Sequence, residues 1–446
     1  MNEIKGALSG LKILACSTAQ AGTVPYMLMA DLGADVIKIE TPDKGDNNRK
    51  SGYLFGETSS FFETNNRGVK SLTLNLKSEE GQKILHKLVK EADIFGQNFR
   101  PGVAKKLNFD YETLEKINPK IIYASVSAYG PDAPDGHLPG TDAVGQALSG
   151  IAEAYSIPGN NLRTGVASVA DETCAILTFG GILAAYINAQ KTGKGQKLET
   201  SLVGSAFRLQ GWTMTTAMWS NKPPITGARI NGTRERPGIA ACFNDKNGKP
   251  FALQLEPNSW LDAMKVLGFK DKLEKDGLLD LGLAFESEDK KTEILDKLAE
   301  LFSTNERDHW ISILRKADKI STHVNTMLEA SSDPNIVNNN YVTEVWYPEL
   351  NKNLKVHGTP WKFSKTPANI KRAPKLGEHN SEILKKLGYT DDEIKNLKVH
   401  GTPWKFSKTP ANIKRAPKLG EHNSEILKKL GYTDDEIENL TNEKII

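Results

Sequence analysis

Residues 11–130 alternate short apolar segments with amphipathic ones, and that alternation restricts the fold more than any other feature of the chain. LKILAC (11–16) reads as a buried strand, VPYMLMADLG (24–33) as a short helix ending at Gly33, and ADVIKIE (34–40) as a second strand. SLTLNL (71–76) alternates as a strand does. Ser78 then stands as an N-cap, with Glu79 and Glu80 in the first turn of a helix that runs to about Lys90. ADIFGQNF (92–99), YETLEKIN (111–118) and KIIYASVSAYG (120–130) continue as strand, helix and strand. Such an order predicts an α/β fold with a mostly parallel sheet and helices on both faces. A turn-rich region follows, with a hairpin around DKNGKP (245–250) and helices near 258–267, 290–302 and 306–317, and it is expected to form a smaller second domain.

The 446 residues suffice for two or three domains with a large core. Hydrophobic residues make up 38%, charged residues 25%, and the net charge is +3, an ordinary globular balance. The basic residues form no block, so no nucleic-acid partner is expected, whereas a small anionic ligand suits the slight excess. Cys16, Cys174 and Cys242 lie far apart, without a CxxC or a nearby histidine cluster. Neither a disulfide framework nor a metal site is expected, and a reducing cytoplasm fits. The start, MNEIKGALSG, has no apolar signal core, and the run from Cys174 to Ile187 reads as too short and too glycine-interrupted to span a bilayer, so no membrane partner is expected.

The end of the chain repeats itself. NLKVHGTPWKFSKTPANIKRAPKLGEHNSEILKKLGYTDDEI begins at Asn353 and again at Asn396, and the copies differ only where Lys395 becomes Glu438. Repeat arrays diverge and need about three units to bury a core, so two near-identical copies read as a duplication with the second copy an appendage. Trp361, Phe363, Ile383 and Leu384 of the first copy are expected to be buried, and Trp404, Phe406, Ile426 and Leu427 of the second to be more exposed.

The motifs taken singly leave their roles open. The first βα turn, STAQAGT, carries one glycine, Gly22, and lacks a dinucleotide fingerprint. Glu40 could hold a ribose or simply face water. The loop QNFRPGVAKKLNFD (97–110) puts Asn98, Phe99, Arg100, Lys105 and Lys106 after a strand, where an α/β sheet binds ligands. It suits a nucleotide with phosphates, and equally a turn followed by a solvated helix face. Thr141 and Asp142, and likewise Asp171 in ASVADETCAI, read as helix caps by pattern alone.

Together the segments resemble the class III CoA-transferases, the CaiB/BaiF type that includes formyl-CoA transferase and the carnitine and bile-acid CoA-transferases. The stretches that carry the resemblance are LSGLKIL, LMADLGADVIKIETPDKGD, NNRGVKSLTLNLKSEEG, NFRPGVAKKLNFDYETL, GTDAVGQALSGI, SVADETCAI, KTGKGQKLETSL and TPWKFSKTPANIKRAPKLGEHNSEILKKLGY, in that order. The resemblance implies transfer of coenzyme A from an acyl-CoA to a free carboxylic acid through an aspartyl covalent intermediate, with no permanently bound cofactor. It implies a Rossmann-like large domain built from residues 1–220 and 326–395, a smaller inserted α+β domain at 221–325, an appendage at 396–446, and an interlocked homodimer. It makes Asp171 the nucleophile, and a carboxylate with an ordinary pKa near 3.9 needs no help to ionise at neutral pH. It places Gln20 and Ala21 beside the thioester. Lys77, Asn98, Phe99 and Lys106 match coenzyme A contacts, Arg100 lies in the same loop, and Asp142 matches an acidic position near the nucleophile.

Three departures bear on the substrate. Thr41 stands where formyl-CoA transferase has an arginine after the second strand. ARINGTRERPGIAA (228–241) holds only Gly232 and Gly238 where that enzyme has a glycine run, which argues against oxalate. Thr141 replaces the histidine of the His–Asp pair in the related acyl-CoA racemases, and a hydroxyl is a poor general base. A racemase or isomerase and a non-catalytic CoA-binding protein are the alternative readings.

Overall fold

The computed structural model describes residues 6–42, 44–154, 168–222, 229–397, 424, 427–428 and 432–442. They divide into two compact units, Met1–Glu378 and His379–Ile446. The first unit is organised by a six-stranded parallel sheet made of β1 (Lys12–Cys16), β2 (Asp35–Glu40), β3 (Lys70–Thr73), β4 (Ile94–Gln97), β5 (Ile122–Ser127) and β6 (Gln196–Ser201). The spatial order is β3-β2-β1-β4-β5-β6. The chain therefore steps outward from β1 to β3 and then crosses back to lay β4 on the other side of β1. The carboxyl ends of β1 and β4 flank this reversal, where open α/β sheets bind ligands. Strand β4 is buried along its whole length, as expected of a parallel strand covered on both faces.

Eight helices of this region matter here: α1 (Val24–Asp31), α2 (Ser60–Asn66), α3 (Glu79–Val89), α4 (Tyr111–Ile117), α5 (Asp142–Leu148), α6 (Val169–Thr192), α7 (Leu202–Leu209) and α8 (Gly211–Ser220). The strand expected over 71–76 ends at Thr73. Beyond it, the Asn75 side chain accepts from the Lys77 N–H and the Asn75 carbonyl accepts from the Ser78 hydroxyl, a local turn that competes with the ladder. Helix α6 is longer than its apolar run suggested. At 24 residues it is long and apolar enough to cross a membrane by length and composition. Ala175, Phe179, Ile182, Ala185 and Ala189 on one of its faces join the core that α1 and the sheet build.

Buried charges tie the sheet to the returning C-terminal segment. Lys38 on β2 pairs with Asp46 at 2.9 Å, and Arg67 with Asp31 at 2.7 Å, all four side chains almost fully buried. From residues 369–377, Asn369 N donates to Asp31 O, Ala373 N to the Glu63 carboxylate and Gly377 N to Ser71 Oγ, each at 2.8–2.9 Å. Arg49 reaches Pro374 O at 2.9 Å, and Trp361 stacks on Phe179 of α6 with ring centroids 5.2 Å apart.

The turn-rich region forms an antiparallel sheet of β7 (Ile230–Gly232), β8 (Pro237–Asn244), β9 (Pro250–Leu255) and β10 (Ile320–His323), in the order β10-β9-β8-β7. Its own core packs Phe243, Phe251, Phe302 and Trp310, the Phe251 and Phe302 rings edge to face at 5.0 Å. The first tail copy starts inside a hairpin strand, Lys352–His357. Trp361 is half-buried, and Ile383 and Leu384 are buried. Phe363, expected inside, is 41% exposed, because Trp361 takes the core position in this irregular stretch. Of the second copy, Leu427 is half-buried, and Trp404, Phe406 and Ile426 lie outside the described residues.

The bonds that sew the tail to the sheet come from residues 369–377 in the first copy. Deleting residues 396–438 is therefore expected to leave a single cooperative thermal transition and full activity. Circular dichroism and solubility check this, and loss of the folded chain would contradict it.

Candidate active site

The turn after β1 is held from three sides. Lys38 donates to Ser17 O at 2.7 Å. The Asn98 side chain, at the end of β4, brackets the Thr18 backbone, accepting from its N–H at 3.0 Å and donating to its carbonyl at 2.7 Å. Gly22 is required for this approach, since a Cβ there would lie 2.5 Å from the Asn98 amide. Gln20 O then accepts from Val24 N at 3.0 Å as α1 begins. Ala21 packs with Ala170 and Cys174 of α6. The Gln20 side chain, 9% exposed, donates from Nε2 to Glu172 Oε1 at 2.5 Å.

Asp171 is not the cap of its helix. Helix α6 begins at Val169, and Ser168 occupies the N-cap position with φ +47° and no side-chain capping bond. The acceptor comes from elsewhere: Asp142 Oδ1 takes the N–H groups of Ala170 at 2.8 Å and Asp171 at 3.0 Å. Asp142 opens α5, and its other oxygen accepts from the buried Gln146 amide. Gly145 lets the two helices meet, because a Cβ there would be 2.7 Å from the Ala170 Cβ. The pattern reading of Thr141 as a cap also fails, as its side chain makes no capping bond.

The Asp171 carboxylate is thus left uncommitted among the described residues. It is half-buried, and its pKa is pushed up to about 7, first by burial and then by the charges of Asp142 and Glu172. The expectation of an ordinary carboxylate, fully ionised at neutral pH, is corrected accordingly. The helix start supplies the opposing influence, a partial positive charge that favours an anion there.

The remaining expected site residues lie on the same edge of the sheet. Phe99 is half-buried against Phe109, with ring centroids 5.4 Å apart. Lys77, Arg100 and Lys106 are exposed and have no ion-pair partner among the described residues. Asn98, by contrast, has both ends of its amide committed to Thr18 and acts as a builder of the turn. Glu40 neither faces water nor stands ready for a ribose. It is 5% exposed and accepts from Arg49 at 2.6 and 2.8 Å, from Ser71 at 2.6 Å and from Asp46 N at 2.9 Å. Burial raises its pKa, and the Arg49 hydrogen bonds, with Lys38 and Ser71, more than offset this and hold it low. Sequence reasoning missed Lys38 and Glu172 as parts of the site. A lysine in the middle of an apolar strand was the available signal for the first.

The family model for CoA-transferase family III matches residues 8–380. The chain belongs to that family. It is 30% identical over 394 residues to acetyl-CoA:oxalate CoA-transferase of Acetobacter aceti, covering 86% of this chain and 96% of the relative. It is 29% identical over 396 residues to human succinyl-CoA:glutarate CoA-transferase, covering 88% of each. A solved CaiB/BaiF family protein from Brucella suis superposes with a TM-score of 0.76 at 26% identity, covering 86% of this chain and all of that one. The α/β fold with its parallel sheet is shared, and the chain is an enzyme of the CoA-transferase class.

In this family III enzyme the Asp142 cap generates the first test. Asp142→Ala removes the acceptor of two N–H groups and is expected to cost about 1–2 kcal/mol in urea unfolding, with Asp142→Asn much milder. The second test concerns pH. Unfolded Asp171 titrates near 3.8 and the folded group near 7. Between those values the folded chain holds a proton that the unfolded chain has lost. The stability from this group is present below the lower value and is lost as pH rises through the upper one. Asp171→Asn mimics the protonated form, so its melting temperature is expected to exceed wild type by a few degrees at about pH 8, converging at about pH 4. Equal melting temperatures at both pH values would contradict the raised pKa.

Proposed function

We propose that this enzyme moves coenzyme A from an acyl-CoA to a free carboxylic acid with Asp171 as the nucleophile. The observation that carries the reading is the division of labour at the start of α6. Asp142 caps the helix, and Asp171 keeps a free carboxylate there. The relatives act in their names on acetyl-CoA with oxalate and succinyl-CoA with glutarate, which supports CoA thioesters and carboxylic acids as the substrates here.

The steps balance without a cofactor. An Asp171 oxygen attacks the thioester carbonyl, and the tetrahedral oxyanion collapses to a mixed anhydride, expelling the coenzyme A thiolate. That thiolate attacks the Asp171 carbonyl carbon, which releases the donor acid as carboxylate and leaves an aspartyl-CoA thioester. The acceptor carboxylate attacks this thioester, and the thiolate leaves again. It then attacks the acceptor carbonyl of the second anhydride, giving the new acyl-CoA and the free Asp171 carboxylate. Holding the thiolate nearby supplies effective molarity, and splitting one exchange into several near-isoenergetic steps lowers each barrier. Ala21 packs close to the start of α6, while Lys77, Arg100 and Lys106 would meet the phosphates. The homodimer implied by resemblance is supported by exposed apolar side chains, Trp212 at 80% and Trp219 at 86% on α8.

Asp171→Asn is expected to lower transfer by several orders of magnitude while coenzyme A binding persists. In wild type, kcat/KM is expected to rise with pH through a midpoint near 7 as Asp171 ionises, with Asp142 and Glu172 the charged neighbours that hold it up. Hydroxylamine added during turnover would label the peptide holding Asp171. Near-normal transfer by Asp171→Asn would overturn the reading. Calorimetry is expected to find coenzyme A binding that weakens with salt and no comparable binding of NAD, since Glu40 is already consumed.

A further inference from the structure

We propose that Glu172 is a positioning residue that acts on acyl transfer through Gln20. The inference rests on Asp171 being the nucleophile. Gln20 follows β1 and Glu172 lies in the first turns of α6, yet Gln20 Nε2 donates to Glu172 Oε1 at 2.5 Å. The two chain segments that make the site are joined by this side-chain bond.

Helix capping does not explain the Glu172 side chain. Its own backbone N–H already donates to Ser168 O at 2.9 Å, and Asp142 satisfies the two N–H groups before it. The backbone of the Gln20 turn is fixed independently, by Lys38 at Ser17 and by Asn98 at Thr18. What those bonds leave unset is the direction of the Gln20 amide. Its carbonyl and amino ends have nearly the same shape, so packing alone chooses poorly between the two flips. The Glu172 oxygen accepts in this bond, so it holds the Gln20 amino end on its side. One N–H is given to Glu172, and the second remains for a bound group.

The residue that fixes this amide is the immediate neighbour of Asp171. When Asp171 attacks, the acyl oxygen gathers negative charge. A preset N–H favours that charge, and an amide free to turn its carbonyl oxygen towards it opposes it. Glu172 therefore sets the polarity of a group that meets the substrate.

A double-mutant cycle in the full-length chain tests this, with acetyl-CoA as donor and formate, glutarate and oxalate as acceptors. Glu172→Ala is expected to lower kcat about 10–100-fold, with the KM for acetyl-CoA within about threefold of wild type. Gln20→Ala is expected to lose at least as much, and the double variant no more than Gln20→Ala alone. Glu172→Gln keeps the size and one acceptor oxygen, and is expected to fold as wild type and to lose about three- to tenfold, an effect absent in the Gln20→Ala background. It keeps the test decisive if Glu172→Ala unfolds. A Glu172 effect that persists in full without the Gln20 side chain overturns the proposal. So does a wild-type kcat in Glu172→Ala or Glu172→Gln while Asp171→Asn is inactive. Transfer retained by Asp171→Asn overturns the nucleophile and this proposal together, so the two failures are distinct.

Discussion

The start of a helix must find acceptors for N–H groups that no earlier turn can satisfy. In this enzyme Asp142 meets that need for α6 from a different helix, through one oxygen shared by Ala170 and Asp171. The arrangement separates two duties that a single aspartate could have combined. A carboxylate that caps its own helix is tied to backbone N–H groups and loses basicity with each bond. Asp171 is spared those bonds and sits where the helix start still favours negative charge. The glycine at 145 belongs to the same device, since any side chain there would push α5 off α6 and withdraw Asp142.

Around this centre the fold uses buried charge as a fastener. Lys38 joins the end of β1 to the loop after β2 through Ser17 and Asp46. Glu40 gathers Arg49, Ser71 and Asp46, and Arg67 pairs with Asp31. Such pairs contribute little net stability, because desolvation offsets most of the attraction. Their value lies in geometry: a buried ammonium or carboxylate tolerates few alternative placements of its partners. The loops after β1 and β2 are held in this way, and Gln20 projects from the first of them. The C-terminal segment uses the same groups, with Ala373 on Glu63 and Pro374 on Arg49.

The alternation of strand and helix was legible because each parallel strand reads as a short apolar run, and the helices of the inserted region were legible from their periodicity. What escaped was anything decided across the sequence. Asp171 and Asp142 both read as local caps, since a Ser/Thr/Asp before an apolar run is the ordinary signal. No local rule says that residue 142 caps residues 170 and 171. Glu40 looked like a surface acid because its partners, Arg49 and Ser71, are set by the fold. Asn98 read as a ligand contact because amides after strands often are, and only its bracket around Thr18 shows that both ends are occupied. Phe363 failed for another reason: in an irregular segment there is no period to say which of Trp361 and Phe363 faces inward.

The chemistry and the stability of this site pull in opposite directions. Burial, with Asp142 and Glu172 nearby, raises the Asp171 pKa to about 7, which makes the ionised form costly. The same penalty makes that carboxylate more basic than one in water, and under the proposed mechanism that is what would make it the better nucleophile towards a thioester. A fully solvated aspartate would ionise more completely but attack more weakly. A fully buried one would stay protonated and not attack. Half-burial at a helix start lies between these limits, and it depends on the capping duty being placed on Asp142.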